Sequence, residues 1–155
     1  MKNFYLDNED IQFFTEHLDW STIVPLHELD FKDRDHYDYA PEDTSDAVDS
    51  YKRVLTALGE IAGEYCAPRS EEVDLRGASC AGGKVTYATG TSESLKLLAQ
   101  SDLMGMTLPR KYGGLNFPAV VFTMAQEIIA RSDASLQNLF GLQGVAEIIH
   151  AFASK

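Results

Sequence analysis

Val48, Tyr51, Val54, Leu55, Leu58, Ile61, Ala62 and Tyr65 recur at helical spacing, and so do Val120, Val121, Met124, Ala125, Ile128 and Ile129. An apolar residue at every third or fourth position marks a helix that buries one face. The second stripe is wide enough for a helix packed between other helices. These two stripes constrain the fold more than any other feature, because their faces can be buried only by setting helix against helix. A third run, Leu136, Leu139, Phe140, Val145, Ile148, Ile149 and Phe152, reads as a further helix capped by Asp133. Gly141 and Gly144 fall inside it, and each costs about 1 kcal/mol against alanine in a helix interior. A bend, or a close approach by another group, is expected there.

Shorter elements fill the rest. Asn8 can cap a helix over 8–18 with Ile11, Phe14 and Leu18 on one face. Trp20 to Leu29 reads as a short helix limited by Pro25, and Phe31 to Asp43 as a loop or extended arm. Thr44 or Ser45 caps the long helix, Pro68 ends or kinks it, and 69–77 is a polar stretch. Thr91 caps a helix carrying Leu95, Leu98 and Ala99 that Gly105 closes, and Asn116 caps the helix of the second stripe. Gly82 to Ala88 carries the one β pattern, a ribbon near 83–88 too short to build a sheet alone. The fold class is mainly α, an irregular bundle of about five or six helices with at most that short ribbon.

The charge is unevenly placed. Of the net −11, residues 1–50 carry 14 Asp and Glu against 3 Lys and Arg, while residues 51–155 carry ten of each. An acidic segment repels phosphates, so nucleic acid is excluded as a partner. Cys66 and Cys80 match neither a zinc pattern nor a Cys-x-x-Cys pair, which fits free thiols in a reducing, cytoplasmic setting. No apolar run approaches a membrane span, and Met1 to Asp10 lacks a signal-peptide core.

Metal and nucleophile motifs fail in turn. Asp33, Asp35 and Asp38 near His36 suggest a cation loop. An EF-hand needs glycine sixth and glutamate twelfth, and those positions hold Asp38 and Thr44. His17, His27, His36 and His150 lack His-x-x-x-His spacing. Ser79-Cys80 has no Gly-x-Ser-x-Gly elbow around it, and there is no dinucleotide or phosphate-loop glycine pattern. Glu127 and Glu147 read as solvated or paired helix residues. The sequence therefore offers no metal ligands and no catalytic group.

The connection that leads into the second stripe is the most distinctive local sequence. Leu108-Pro109 sets an extended bend, Arg110-Lys111 makes the loop basic, and Tyr112-Gly113-Gly114 permits a tight turn. A helix ending Glu127-Ile-Ile-Ala-Arg-Ser-Asp-Ala-Ser135 follows. In this order and spacing the elements resemble the N-terminal helical domain of the acyl-CoA dehydrogenases, closely over 92–155 and loosely over the helix at 44–67. The charged pair departs from the Glu-Glu of many relatives, and the first residues are longer and more acidic than the usual start.

The resemblance implies a division into an acidic extension with a short helix, 1–43, and the family's N-terminal helical domain, 44–155. The flavin-binding middle domain, the C-terminal bundle and the catalytic glutamate are then expected beyond Lys155, where the last helix runs out without a glycine cap. It implies a parent enzyme that oxidises an acyl-CoA to its enoyl-CoA with FAD, passes electrons to an electron-transfer acceptor and assembles as a homo-oligomer. This chain alone is expected to be inactive and to hold no FAD. The helix after Asp-Ala-Ser lines the acyl cavity in that family. Aligned on that element, Asn138, Gly141, Leu142 and Val145 are the substrate-facing residues. The acidic segment is expected to wrap a neighbouring subunit through Phe4, Tyr5, Phe13, Phe14 and Trp20. The alternative is a free-standing acidic helical interaction module without catalysis.

Overall fold

The computed structural model describes residues 2–153. Eight α-helices are present among them: α1 (Glu9–His17), α2 (Trp20–Glu28), α3 (Thr44–Glu60), α4 (Ser70–Arg76), α5 (Thr89–Gln100), α6 (Ala119–Ser132), α7 (Ala134–Gly141) and α8 (Gln143–Phe152). One antiparallel hairpin pairs β1 (Ser79–Ala81) with β2 (Lys84–Thr86), in the register Cys80 opposite Val85. The fold is mainly α.

The two long stripes form the centre. Leu55 and Leu58 of α3 and Val121, Ala125, Ile128 and Ile129 of α6 are fully buried in one core, which α7 closes with Leu136 and Phe140. Tyr51 of α3 packs between the rings of Trp20 and Phe117. Beyond Glu60 the helical path widens into a π-helical stretch (Ile61–Cys66) and then tightens to a 3-10 turn (Ala67–Arg69) that holds Pro68. Asn8 caps α1 by accepting from the Ile11 amide at 3.0 Å. Asp133 caps α7, its Oδ1 accepting from the amides of Ser135 (2.8 Å) and Leu136 (3.1 Å).

The acidic segment belongs to this core. Residues 2–7 cross α3, where the Phe4 amide donates to the Gly59 carbonyl at 3.0 Å and Asn3 Nδ2 to the Thr56 carbonyl at 3.0 Å. Glycine at 59 and 63 makes that approach possible. A Cβ on Gly59 would stand 2.6 Å from the Tyr5 nitrogen, and one on Gly63 would collide with the Lys2 carbonyl. Phe4, Tyr5 and Trp20 are therefore buried in this chain's own core, not held out for a neighbour, while Phe13 and Phe14 are exposed. On α1 the inward residues are Ile11 and Thr15, with Phe14 turned outward.

Several boundaries differ from the sequence expectation. Pro25 sits inside α2, which its ring interrupts by only one backbone donor. Asp43, not Thr44 or Ser45, caps α3, accepting from the Asp46 amide at 2.9 Å. The polar stretch after Pro68 folds as α4, with Glu71 and Glu72 in its first turn and Arg76 paired to Glu72 in its last. Gly82-Gly83 is the hairpin turn, so the ribbon begins earlier than expected, at Ser79. α5 starts at Thr89 and ends at Gln100, and Gly105 lies in the next turn at φ +85°. Asn116 takes a left-handed conformation, and Pro118 occupies the cap position of α6. The third stripe breaks at Leu142 into α7 and α8, the bend that Gly141 and Gly144 suggested.

Candidate functional site

The four residues expected to face an acyl chain lie around the α7–α8 break, and the structure divides them. Gly141 and Val145 line one open groove of about 470 Å³ with Phe122, Gln126, Ile148 and Phe152. A Cβ on Gly141 would find Gln137 Nε2 at 3.6 Å and Gln126 Oε1 at 3.8 Å, ordinary contact distances, so the glycine leaves space in the groove. Gln137 donates to Gln126 at 3.1 Å close to that glycine. Asn138 lies in a different concavity of about 670 Å³, between α4, the residues flanking the hairpin and the α6–α7 corner. Leu142 sits at the break, 56% exposed, and lines neither.

α8 shows why this face reads as incomplete. Val145, Ile148, Ile149 and Phe152 are all exposed, Phe152 at 83%. Their helical spacing makes a continuous apolar strip on a helix whose inward anchor is Gln143. Adjacent apolar side chains left in water mark a surface built to be covered.

The Leu-Pro and Tyr-Gly-Gly connection is the site's fixed side. Residues 103–117 brace themselves: the Met106 carbonyl accepts from the Phe117 amide (2.8 Å) and the Leu108 carbonyl from Asn116 (2.9 Å). A Cβ on Gly114 would collide with the Leu108 carbonyl, so only glycine closes this crossing. The acidic segment holds the outer side. Tyr39 Oη donates to the Gly114 carbonyl at 3.3 Å, and His27 Nε2–H donates to the Asn116 carbonyl at 2.9 Å. Arg110, expected on a basic surface loop, is instead buried with both Nη groups on Glu28, at 2.6 and 2.9 Å, and Nη1 at 3.4 Å from Asp33. Burial alone lowers the affinity of that guanidinium for its proton. The Glu28 and Asp33 bonds and charges outweigh it and hold its pKa above the ordinary value. Nearby, burial pushes the Tyr51 phenol up, the Glu28 charge pushes it further, and Arg110 opposes. Tyr51 Oη and Arg110 Nε are buried without a hydrogen-bond partner.

Gln143 was missed by the sequence reading. It is buried, and its side chain joins the 103–117 connection to the α7–α8 break. The only sequence signal was a polar residue between two glycines in an otherwise apolar run.

Among the described residues no three of His, Cys, Asp or Glu gather as a metal-binding group, and no helix is long and apolar enough to cross a membrane. Cys66 is buried and Cys80 exposed, both as free thiols. The concavity that holds Asn138 does not suit a flavin dinucleotide: Glu71, Asp74 and Asp133 outnumber Arg131 in its lining, and their carboxylates would repel a pyrophosphate.

A family model described as "Acyl-CoA dehydrogenase, N-terminal domain" matches residues 49–155. The 3-methylmercaptopropionyl-CoA dehydrogenase of Ruegeria pomeroyi is 28% identical over 134 residues, covering 86% of this chain and 20% of that protein. Mitochondrial isovaleryl-CoA dehydrogenase of Solanum tuberosum is 27% identical over 93 residues, covering 60% of this chain and 20% of that protein. The chain thus spans a fifth of the length of these relatives.

Proposed function

The chain belongs to the acyl-CoA dehydrogenase family by its N-terminal domain, and on that premise we propose that it is the opening domain of an FAD-dependent enzyme that oxidises an acyl-CoA thioester to the enoyl-CoA. Residues 44–155 are the family domain in this reading, and 1–43 an acidic extension packed onto it. FAD would supply the redox chemistry from parts of the parent outside these residues, as would the general base. Electrons would leave to an electron-transfer acceptor, and the parent would be a cytoplasmic homo-oligomer.

The contribution of this chain is a wall and a packing face. The observation that carries the reading is the groove lined by Gly141, Val145, Phe122 and Ile148. An alkyl chain buried there leaves water, gaining roughly 0.8 kcal/mol per methylene. Of the expected set Asn138, Gly141, Leu142 and Val145, Gly141 and Val145 are proposed to face the substrate in this groove, with Asn138 meeting it from the neighbouring concavity and Leu142 from the break between them. The apolar strip of α8 is proposed to pack against the rest of the parent and so exclude water from the groove. Alone, the 155 residues are proposed to be inactive: Glu147, the carboxylate nearest the groove, stands exposed at its rim.

Two measurements test this. The full-length natural protein should show a flavin absorption band that bleaches when an acyl-CoA is added, and a colourless product would remove the enzyme reading. In that protein Gly141→Phe should shift preference to shorter acyl chains, and an unchanged chain-length profile would remove the wall reading.

A further inference from the structure

The break between α7 and α8 needs a device to hold its angle. Gly141 and Gly144 flank it, and without side chains they leave the backbone free to sample many directions. One carboxamide limits that freedom. Gln143 Oε1 accepts from the amides of Gly105 and Met106, each at 2.8 Å, and Nε2 donates to the Phe140 carbonyl at 2.9 Å. The acceptor therefore grips the connection, and the donor grips the end of α7. Both ends of one rigid planar group are engaged away from water, where such bonds are strongest and costly to lose. The gripped turn is itself braced, since the Gly105 carbonyl accepts from the Leu108 and Leu115 amides at 3.1 and 3.2 Å. The connection is thus the fixed body, and α8 is the element whose direction remains to be set. The Tyr112 ring meets His150 edge-on further along α8, at the surface.

We infer that Gln143 is a positioning residue for substrate selection: its carboxamide fixes the direction in which α8 leaves α7. That direction sets the width of the groove between Gly141 and Val145. Gln143 does not line the groove and acts through the helix it anchors. The inference rests on the reading of that groove as acyl wall. A glutamine is the side chain that suits the task. Leucine is apolar and makes none of these bonds, asparagine keeps the carboxamide but is one methylene too short to span, and glutamate keeps the length and the acceptor but loses the donor.

The test compares Gln143→Leu, Gln143→Asn and Gln143→Glu in the full-length flavin-containing protein. kcat/KM is measured for a series of saturated acyl-CoAs from short to long, with melting temperature alongside. A loosened wall discriminates less, so Gln143→Leu should narrow the ratio between best and worst chain lengths about tenfold, at the low end of what one methylene commands in an apolar pocket. Gln143→Glu keeps the bonds from Gly105 and Met106 but sets a carboxylate oxygen against the Phe140 carbonyl, so its ratio should fall between those of wild type and Gln143→Leu. Should the leucine variant fail to fold, the asparagine variant carries the same expectation. A uniform loss across all chain lengths, or equal profiles for Leu and Glu, would overturn the proposal. Gly141→Phe separates the two layers. If it shifts the profile while the Leu and Asn variants do not, only the role of Gln143 fails. If none of them shifts it, the acyl wall fails first.

Discussion

Glu28 and Arg110 stand 82 residues apart in sequence and meet as a bidentate pair with both side chains 2% exposed. The chain reaches this contact through Leu29, Asp30 and Phe31, three consecutive non-glycine residues in the left-handed region. That conformation is costly for each, and the surrounding contacts must hold it. Its result is that Glu28 and Asp33, one on either side of the turn, converge on one guanidinium. The acidic segment is thereby fastened to the Leu-Pro and Tyr-Gly-Gly connection. A second fastening pairs Asp7 with Arg131, whose guanidinium also lies 4.1 Å from the Phe4 ring centre.

Removing one member of a buried pair leaves the other charge without compensation. Glu28→Gln should therefore destabilise the chain by about 3 kcal/mol, the low end for such sites, because Asp33 remains to share the charge. Replacing both partners, as Glu28→Leu with Arg110→Met, should recover most of that loss. Urea midpoints of Glu28→Leu, Arg110→Met and the double variant decide it. A double variant as unstable as the two losses added together would show that the pair is not an isolated charge couple.

Gly59 gives the opposite sign to helix propensity. In an unobstructed helix interior, alanine is better than glycine by about 1 kcal/mol. Here a Cβ would push residues 3–5 off α3. Gly59→Ala should therefore lower the melting temperature, and combining it with deletion of residues 1–7 should turn the alanine neutral or favourable. A stabilised single variant would mean that the segment does not dock on α3.

The long helices were legible because burial of one face leaves a periodic record: the stripes of α3 and α6 reappear as core. The Asn8 and Asp133 caps were legible because a short polar side chain before an apolar run has few other uses. α4 left no such record, since Val73 is its one buried residue and charge pairing does the rest. Arg110, Glu28 and Gln143 were illegible for a shared reason. Their letters belong to surface residues, and only long-range geometry reveals that each is buried with a partner. At the candidate site the glycine-marked bend could be read, but not that it sends Asn138 to one concavity and Gly141 to another.

Stability should fall at alkaline pH before any lysine effect is needed. Burial raises the phenols of both Tyr51 and Tyr5 above the ordinary value of 10.0. In the unfolded chain they ionise near that value, while in the fold they stay protonated. The unfolded state therefore sheds protons that the fold retains, so stability present below pH 10 is lost as pH rises from there toward the folded values. Tyr51→Phe should move this loss to higher pH. It should also add about 1 kcal/mol at neutral pH, because it removes a buried hydroxyl without a partner. Identical alkaline unfolding in Tyr51→Phe and wild type would show that Tyr51 does not drive it.

The apolar strip on α8 predicts how the 155-residue chain behaves in solution. Ile148, Ile149 and Phe152 are 60%, 59% and 83% exposed and lie on one helix face. An exposed aromatic pair elsewhere, Phe13 and Phe14, is set among Glu9, Asp10 and Glu16, whose like charges oppose stacking of two copies. Association should therefore run through α8. Sedimentation velocity should find the chain larger than a monomer, and Ile148→Glu with Phe152→Glu should return it to one. Phe13→Ser with Phe14→Ser should leave the assembly as it is. If the serine pair dissolves the assembly and the glutamate pair does not, the exposed face that seeks a cover is α1, and α8 loses its place as the packing surface toward the rest of the parent.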